Sequence, residues 1–200
     1  MKEIIIATKN KGKAKEFEEF FKPHGIRTIS LLDFVEEPQD IEETGVTFKE
    51  NAALKAETMS NELNKPVLAD DSGLIIDALD GRPGIFSARY AGEPKNDQAN
   101  IEKVLNELRD VTEKNRTARF ICVIAIAQPD QQTIFKTGYC EGHISFSETG
   151  THGFGYDPIF IPEGYTNSMA ELTSDEKNLI SHRSHAIKQL EQWIQRDADK

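Results

Sequence analysis

The apolar run Ile4-Ile5-Ile6-Ala7 passes, through Thr8-Lys9-Asn10 alone, into the helical pattern KGKAKEFEEFFK from Lys11 to Lys22. Residues 3–8 read as a buried strand, and Ala14, Phe17, Phe20 and Phe21 fall on one face of the following helix. A strand feeding a helix this directly commits the chain to interleaved α and β elements. The rest of the sequence keeps that mixture without strict alternation. IRTISLLDF suggests a second short strand. Thr47-Phe48-Lys49-Glu50 fits a capping box opening a helix that ends near Leu63, with Phe48, Ala52, Met59 and Leu63 as its apolar stripe. VLADDSGLIIDAL reads as strand, polar interruption, strand, and Gly81-Arg82-Pro83-Gly84 as a turn. A helix is expected over 97–109. RFICVIAIA and TIFKTGYCEG form paired strands, and Gly150 to Pro158 is a glycine-rich loop. Thr173-Ser174-Asp175-Glu176 caps a last helix reaching Trp193 or Ile194. The expected class is α/β or α+β with a mixed sheet rather than a regular doubly wound fold.

The length of 200 residues suits a single domain, 1–200, with room for two lobes. No apolar run approaches the roughly 20 residues of a membrane span, and Met1 to Ile6 reads as a first strand rather than a signal peptide. Cys122 lies in an apolar run and is expected in the core. With Cys140 it forms no spaced cluster, so a reducing cytoplasm is the expected compartment. A net charge of −10 argues against duplex nucleic acid as the main partner. It leaves room for a small polyphosphate held by a local lysine cluster and a divalent metal.

Several stretches carry candidate chemistry. The turn Thr8-Lys9-Asn10-Lys11-Gly12-Lys13 sits where a strand meets a helix N-terminus, which suits an anion and equally suits a solvated turn with surface lysines. It is not a Walker A loop. Asp70-Asp71-Ser72-Gly73 puts two carboxylates between apolar runs. A carboxylate there holds Mg²⁺ or takes a proton from water, or else the four residues are a polar hairpin turn. Neighbours on a strand face opposite sides, so at most one of the pair serves a given pocket. Glu42-Glu43 is a second acidic pair, from which one glutamate could join Asp71 on a metal. Gly153-Phe154-Gly155-Tyr156-Asp157-Pro158 lacks the third glycine of a dinucleotide fingerprint. It suits either a flat ring approaching the backbone or a tight structural loop. Lys177, His182 and Arg183 offer donors near the last helix, and a zinc pair from His182 and His185 is disfavoured because no third ligand is evident.

Taken in order, TKNKGK, EETGVTFKENAALKA, ADDSGL, PGIFSARYAG, GFGYDPIF and ELTSDEKNLISHR resemble the inosine triphosphate pyrophosphatase family, and most closely its bacterial dITP/XTP pyrophosphatase branch. The resemblance covers about residues 3–194. It implies an α/β fold: a curved mixed β-sheet flanked by helices, two lobes with a central substrate cleft, and a homodimer. It implies Mg²⁺-dependent hydrolysis of dITP, ITP or XTP to the monophosphate and pyrophosphate, which removes deaminated purines from the nucleotide pool. Carried over by position, the phosphate loop is Thr8, Lys9, Asn10, Lys11, Gly12 and Lys13. The metal carboxylates are Glu42 and Asp71, with Asp71 also the proton acceptor. Ser72 and Lys55 are substrate contacts. The base site is Phe154, Gly155, Tyr156 and Asp157 with Lys177, His182 and Arg183. The alternatives to this reading are a pyrophosphatase for other modified nucleotides and a nucleotide-binding regulator that does not hydrolyse.

Overall fold

A computed structural model describes residues 2–8, 10–34 and 41–198. Its elements, in chain order, are β1 (Glu3–Ile6), α1 (Lys11–Phe21), β2 (Arg27–Ser30), α2 (Leu31–Phe34), α3 (Phe48–Leu63), β3 (Val67–Ile76), α4 (Asp97–Glu107), β4 (Thr117–Ala127), β5 (Ile134–Ile144), β6 (Phe160–Pro162), α5 (Ser174–Ile180) and α6 (His182–Ala198). The strands form one six-stranded sheet in the order β2-β1-β3-β4-β5-β6. β1 runs parallel to β2 and β3, while β5 and β6 are antiparallel, so the sheet is mixed as expected.

The chain divides into two compact units. The first comprises Met1–Asp71, Val123–Thr137 and Gln189–Lys200. Here β1 shows why its sequence has no alternation: Ile4, Ile5 and Ile6 are all at most 1% exposed, because a strand in a parallel sheet is covered on both faces. α1 buries Phe17 and Phe21, one turn apart, and leaves Phe20 half-exposed. α3 buries Asn51, Ala52, Ala56, Met59 and Ser60. Its N-cap differs from a capping box in one bond. The Thr47 hydroxyl accepts from the Glu50 N–H at 3.1 Å, but the Glu50 carboxylate accepts from Val46 N–H at 2.7 Å, one residue upstream of the cap.

The second unit comprises Ser72–Cys122 and Gly138–Lys188. Its core joins Leu74, Ile76, Leu108, Phe120, Ile144, Ile159, Phe160 and Met169. Arg116 lies inside that core, 2% exposed. Its guanidinium donates to the carbonyls of Val111, Ser145 and Leu108 at 3.1, 2.8 and 2.7 Å. Every arm of the fork is used, which is the condition for burying such a charge.

Three expectations are corrected. Asp70 to Gly73 do not interrupt the chain direction, since β3 continues unbroken from Val67 to Ile76. The final helix is two, because Ser181 adopts an extended conformation (φ −66°, ψ 150°) between α5 and α6. The short helix α2 follows β2 directly, where only a strand was expected.

The first turn of α6 is packed straight onto β5. A Cβ at Gly138 would lie 2.1 Å from the His182 carbonyl oxygen and 2.3 Å from the Ala186 nitrogen, so only glycine admits this approach. Gly138→Ala is expected to cost about 2 kcal/mol through overpacking. That lowers Tm by about 5 °C in a chain of this size, measured by scanning calorimetry.

Candidate active site

In the first unit the site grows from the end of β1. Thr8 Oγ1 accepts from Asn10 N–H at 3.2 Å, which fixes the turn. Asn10 then caps α1, its Oδ1 accepting from the N–H groups of Gly12 and Lys13 at 2.9 and 3.2 Å. A side chain at position 12 would crowd that oxygen, at 3.2 Å from Cβ. The cap thus already engages two of the N–H groups that the sequence assigned to an anion, and among the described side chains Lys13 supplies the turn's positive charge. Lys9 and the side chain of Lys11 lie outside the described residues.

Lys13 reaches β3. Its Nζ is 2.7 Å from Asp70 Oδ2, and that carboxylate is almost fully buried. The neighbouring carboxylate is served from another helix. Lys55, on α3, is 3.6 Å from Asp71 Oδ1 and 2.7 Å from Glu43 Oε1. Strand alternation gives each aspartate its own lysine. Glu42 is exposed, whereas its neighbour Glu43 is the one that touches Lys55 and raises the proton affinity of Asp71. Ser72 follows Asp71 along β3 and is half-exposed.

Burial pushes the Asp71 carboxyl above its usual range, and Glu43 pushes it further, against the opposing pull of Lys55 and Lys13. Burial alone would lower the Lys55 ammonium, but Asp71, Asp70 and Glu43 together outweigh it and hold it above its ordinary value. Three carboxylates, Asp70, Asp71 and Glu43, thus gather around Lys13 and Lys55. Clustered hard oxygen donors of this kind fit a divalent cation such as Mg²⁺. Among the described residues no three His, Cys, Asp or Glu side chains form a metal cage. Mg²⁺ requires less, being held by one or two carboxylates plus substrate phosphates.

In the second unit the loop before β6 turns on Asp157, 4% exposed. Its Oδ2 accepts from Phe154 N–H at 3.0 Å and from Lys177 Nζ at 2.5 Å. Gly153, at φ +79°, leaves the space that this carboxylate fills, since a Cβ there would lie 2.0 Å from Oδ2. Gly155 N–H donates to Asp97 Oδ2 at 3.0 Å, from the first turn of α4. Tyr156 is buried, and its hydroxyl donates to the Ser87 carbonyl at 2.8 Å. That leaves Phe154, 42% exposed, as the ring of this loop that faces outward, with Lys177 Nζ 5.1 Å from its centroid. His182 stacks on Phe120 with centroids 5.0 Å apart, and Arg183 is buried beside it in sequence.

The sequence reading therefore finds Lys13, Lys55 and Asp71 together in the first unit, and Phe154, Asp157 and Lys177 together in the second. It passed over Asp70, Asn51 and Asp97, and assigned the loop carboxylate to Glu42 rather than to Glu43. Asp70 was visible as half of an acidic pair, and Asn51 as part of the quoted stretch KENAALKA. Nothing local marked Asp97 beyond its place at a helix start.

Comparison with known proteins now adds identity to geometry. The profile of the Ham1 family matches residues 4–193. A dITP/XTP pyrophosphatase of Oceanobacillus iheyensis is 68% identical over 194 residues, covering 97% of this chain and 98% of the relative. One from Halalkalibacterium halodurans is 61% identical, covering 97% and 100%. Among solved structures, the Ham1 protein of Staphylococcus aureus superposes with a TM-score of 0.90 at 46% identity, covering 98% of this chain and all of that one (100%).

The charge cluster makes a test of its own. A carboxyl whose folded pKa is raised contributes stability fully present below its unfolded pKa, and that contribution is lost as pH rises through the folded value. Ionised Asp71 is therefore a burden on the metal-free fold at neutral pH. Asp71→Asn, which resembles the neutral acid, is expected to raise Tm in EDTA at pH 7.5, with the gap closing below about pH 4. A lower Tm for the variant at pH 7.5 contradicts this electrostatic reading. By sequence profile, by identity to its relatives and by fold, the chain belongs to the Ham1 family.

Proposed function

We propose that this protein hydrolyses deaminated purine nucleoside triphosphates, dITP, XTP and ITP, to the monophosphate and pyrophosphate. The observation that carries the reading is that Lys13 and Lys55 converge on adjacent carboxylates of β3 in a chain 68% identical to a dITP/XTP pyrophosphatase. The reaction places a water oxygen on the α-phosphorus and breaks its bond to the bridging oxygen, which leaves with pyrophosphate. Lys13 and Lys55 are placed to exchange carboxylate partners for phosphate oxygens, with Thr8, Asn10 and Ser72 orienting the chain of phosphates. Asp71, with its raised proton affinity, takes the proton from water. Mg²⁺, held by Asp71 with Glu42 or Glu43, supplies the positive charge that offsets charge gathering on the phosphate oxygens.

Base choice is assigned to the second unit. Phe154 offers a stacking face, and Lys177, His182 and Arg183 are donors suited to a 6-oxo acceptor. Adenine would set its 6-amino donor against them. A buried unpaired polar group costs about 1–3 kcal/mol, so one mismatch lowers kcat/KM by roughly 5- to 150-fold. The activity belongs to nucleotide-pool maintenance, in the cytoplasm, by a homodimer. No helix among the described residues is long and apolar enough to cross a membrane.

Pyrophosphate release from XTP, dITP, ITP and ATP tests the reading. The first three are expected to turn over at least tenfold faster than ATP in kcat/KM. Equal rates remove the base-selection argument. ITP bound without release favours a nucleotide-binding regulator. Glu43→Gln and Glu42→Gln separate the acidic neighbours. The glutamate that serves the metal shows, on substitution, a higher half-saturating Mg²⁺ concentration with little change in KM for nucleotide at saturating metal.

A further inference from the structure

Asn51 is 1% exposed, on a face of α3 otherwise made of Ala52, Ala56, Met59 and Ser60. Asparagine is a poorer helix former than alanine, and burying its amide carries a desolvation penalty. An alanine would pack here without either loss. Two observations say what the amide does. Its Oδ1 accepts from Gly45 N–H at 2.8 Å. That bond decides which end of the amide points where, because only the oxygen accepts a proton. Nδ2 is therefore turned the other way, toward the side chain of Asp71. It reaches no acceptor at full hydrogen-bond geometry, and it is buried.

The contact with the loop is tight. A Cβ on Gly45 would lie 2.6 Å from Asn51 Oδ1, 2.8 Å from Glu50 Cβ and 3.0 Å from Asn51 N. Gly45 is thus required by close approach. One turn further along α3, Lys55 holds Glu43 of the same loop at 2.7 Å and meets Asp71 at 3.6 Å. Residues four apart share a helix face. Asn51 and Lys55 form two rungs, each touching the acidic loop on one side and Asp71 on the other.

We propose that Asn51 is a positioning residue for the metal carboxylates: one buried amide pins the acidic loop at Gly45 through Oδ1 and orients the Asp71 carboxylate through Nδ2. The inference rests on the metal reading above. An unsatisfied donor beside a carboxylate is a strained arrangement for the protein alone. A carboxylate held by a cation would be kept in one orientation, in which this donor could serve it. Groups that orient metal ligands typically change metal affinity or activity by about 10- to 100-fold when removed.

The test is the dissociation constant for Mn²⁺, a paramagnetic stand-in for Mg²⁺, read from the free-ion electron paramagnetic resonance signal without nucleotide. Wild type, Asn51→Ala and Gly45→Ala are compared at a temperature where calorimetry shows each folded. Both variants are expected to weaken Mn²⁺ binding at least about tenfold. Gly45→Ala keeps the Asn51 side chain but forces the loop away from it, so it carries the test if Asn51→Ala does not fold. A purely structural role lowers Tm without moving the constant. Constants within twofold of wild type in the folded variants overturn the proposal, as does a wild type that binds no Mn²⁺. Because this readout needs no turnover, a wild type that binds Mn²⁺ but releases no pyrophosphate overturns the substrate reading alone.

Discussion

Two consecutive carboxylates inside a sheet have to be neutralised, and the first unit is arranged around that necessity. Asp70 and Asp71 are 3% and 7% exposed on β3. Their charges are met by lysines from two helices, Lys13 on α1 and Lys55 on α3. Isolated buried charges are too costly to persist, so the two helices, the acidic loop and the strand are bound to one another through this cluster. Burial first, and then Glu43, still hold the proton affinity of Asp71 above the usual carboxyl range. A fold optimised for stability alone would place a neutral residue there. In the proposed function that charge is what a metal and a polyphosphate would use.

The second unit repeats the principle with one carboxylate. Asp157 joins the Phe154 backbone to Lys177 and fills the space that Gly153 leaves open. Asp97 holds Gly155 from α4, and Ser87 holds Tyr156. The loop is thereby fixed at consecutive residues, and Phe154 alone turns its ring outward. A rigid loop carrying one exposed ring is suited to reading a flat base, since little conformational freedom is lost on binding. Close packing of α6 on Gly138 fixes the first turn that carries His182 and Arg183 in the same way.

Much of this was legible along the chain. The unalternating Ile4–Ile6 run announced a strand covered on both faces, and the paired apolar runs announced β4 and β5. The interruption expected at Asp70–Gly73 did not occur, for a tertiary reason. Polar residues favour turns only when nothing distant satisfies them, and the partner of Asp70 lies 57 residues away. The choice between Glu42 and Glu43 as the partner of Lys55 is likewise invisible locally, because adjacent residues of one type differ only in the direction the loop gives them. Asn51 was hidden by its setting in a helix, where an asparagine reads as tolerated rather than as chosen. The break at Ser181 was obscured by a capping signal that correctly marked α5 but could not say where that helix ends.

The proposed reaction turns on where water enters the substrate. Hydrolysis of XTP in ¹⁸O-labelled water, followed by mass spectrometry of both products, locates the attack directly. Attack at the α-phosphorus predicts one ¹⁸O atom in the monophosphate and none in pyrophosphate. Label in pyrophosphate, or release of single inorganic phosphate carrying the label, contradicts it and assigns the charge cluster on β3 to a different reaction.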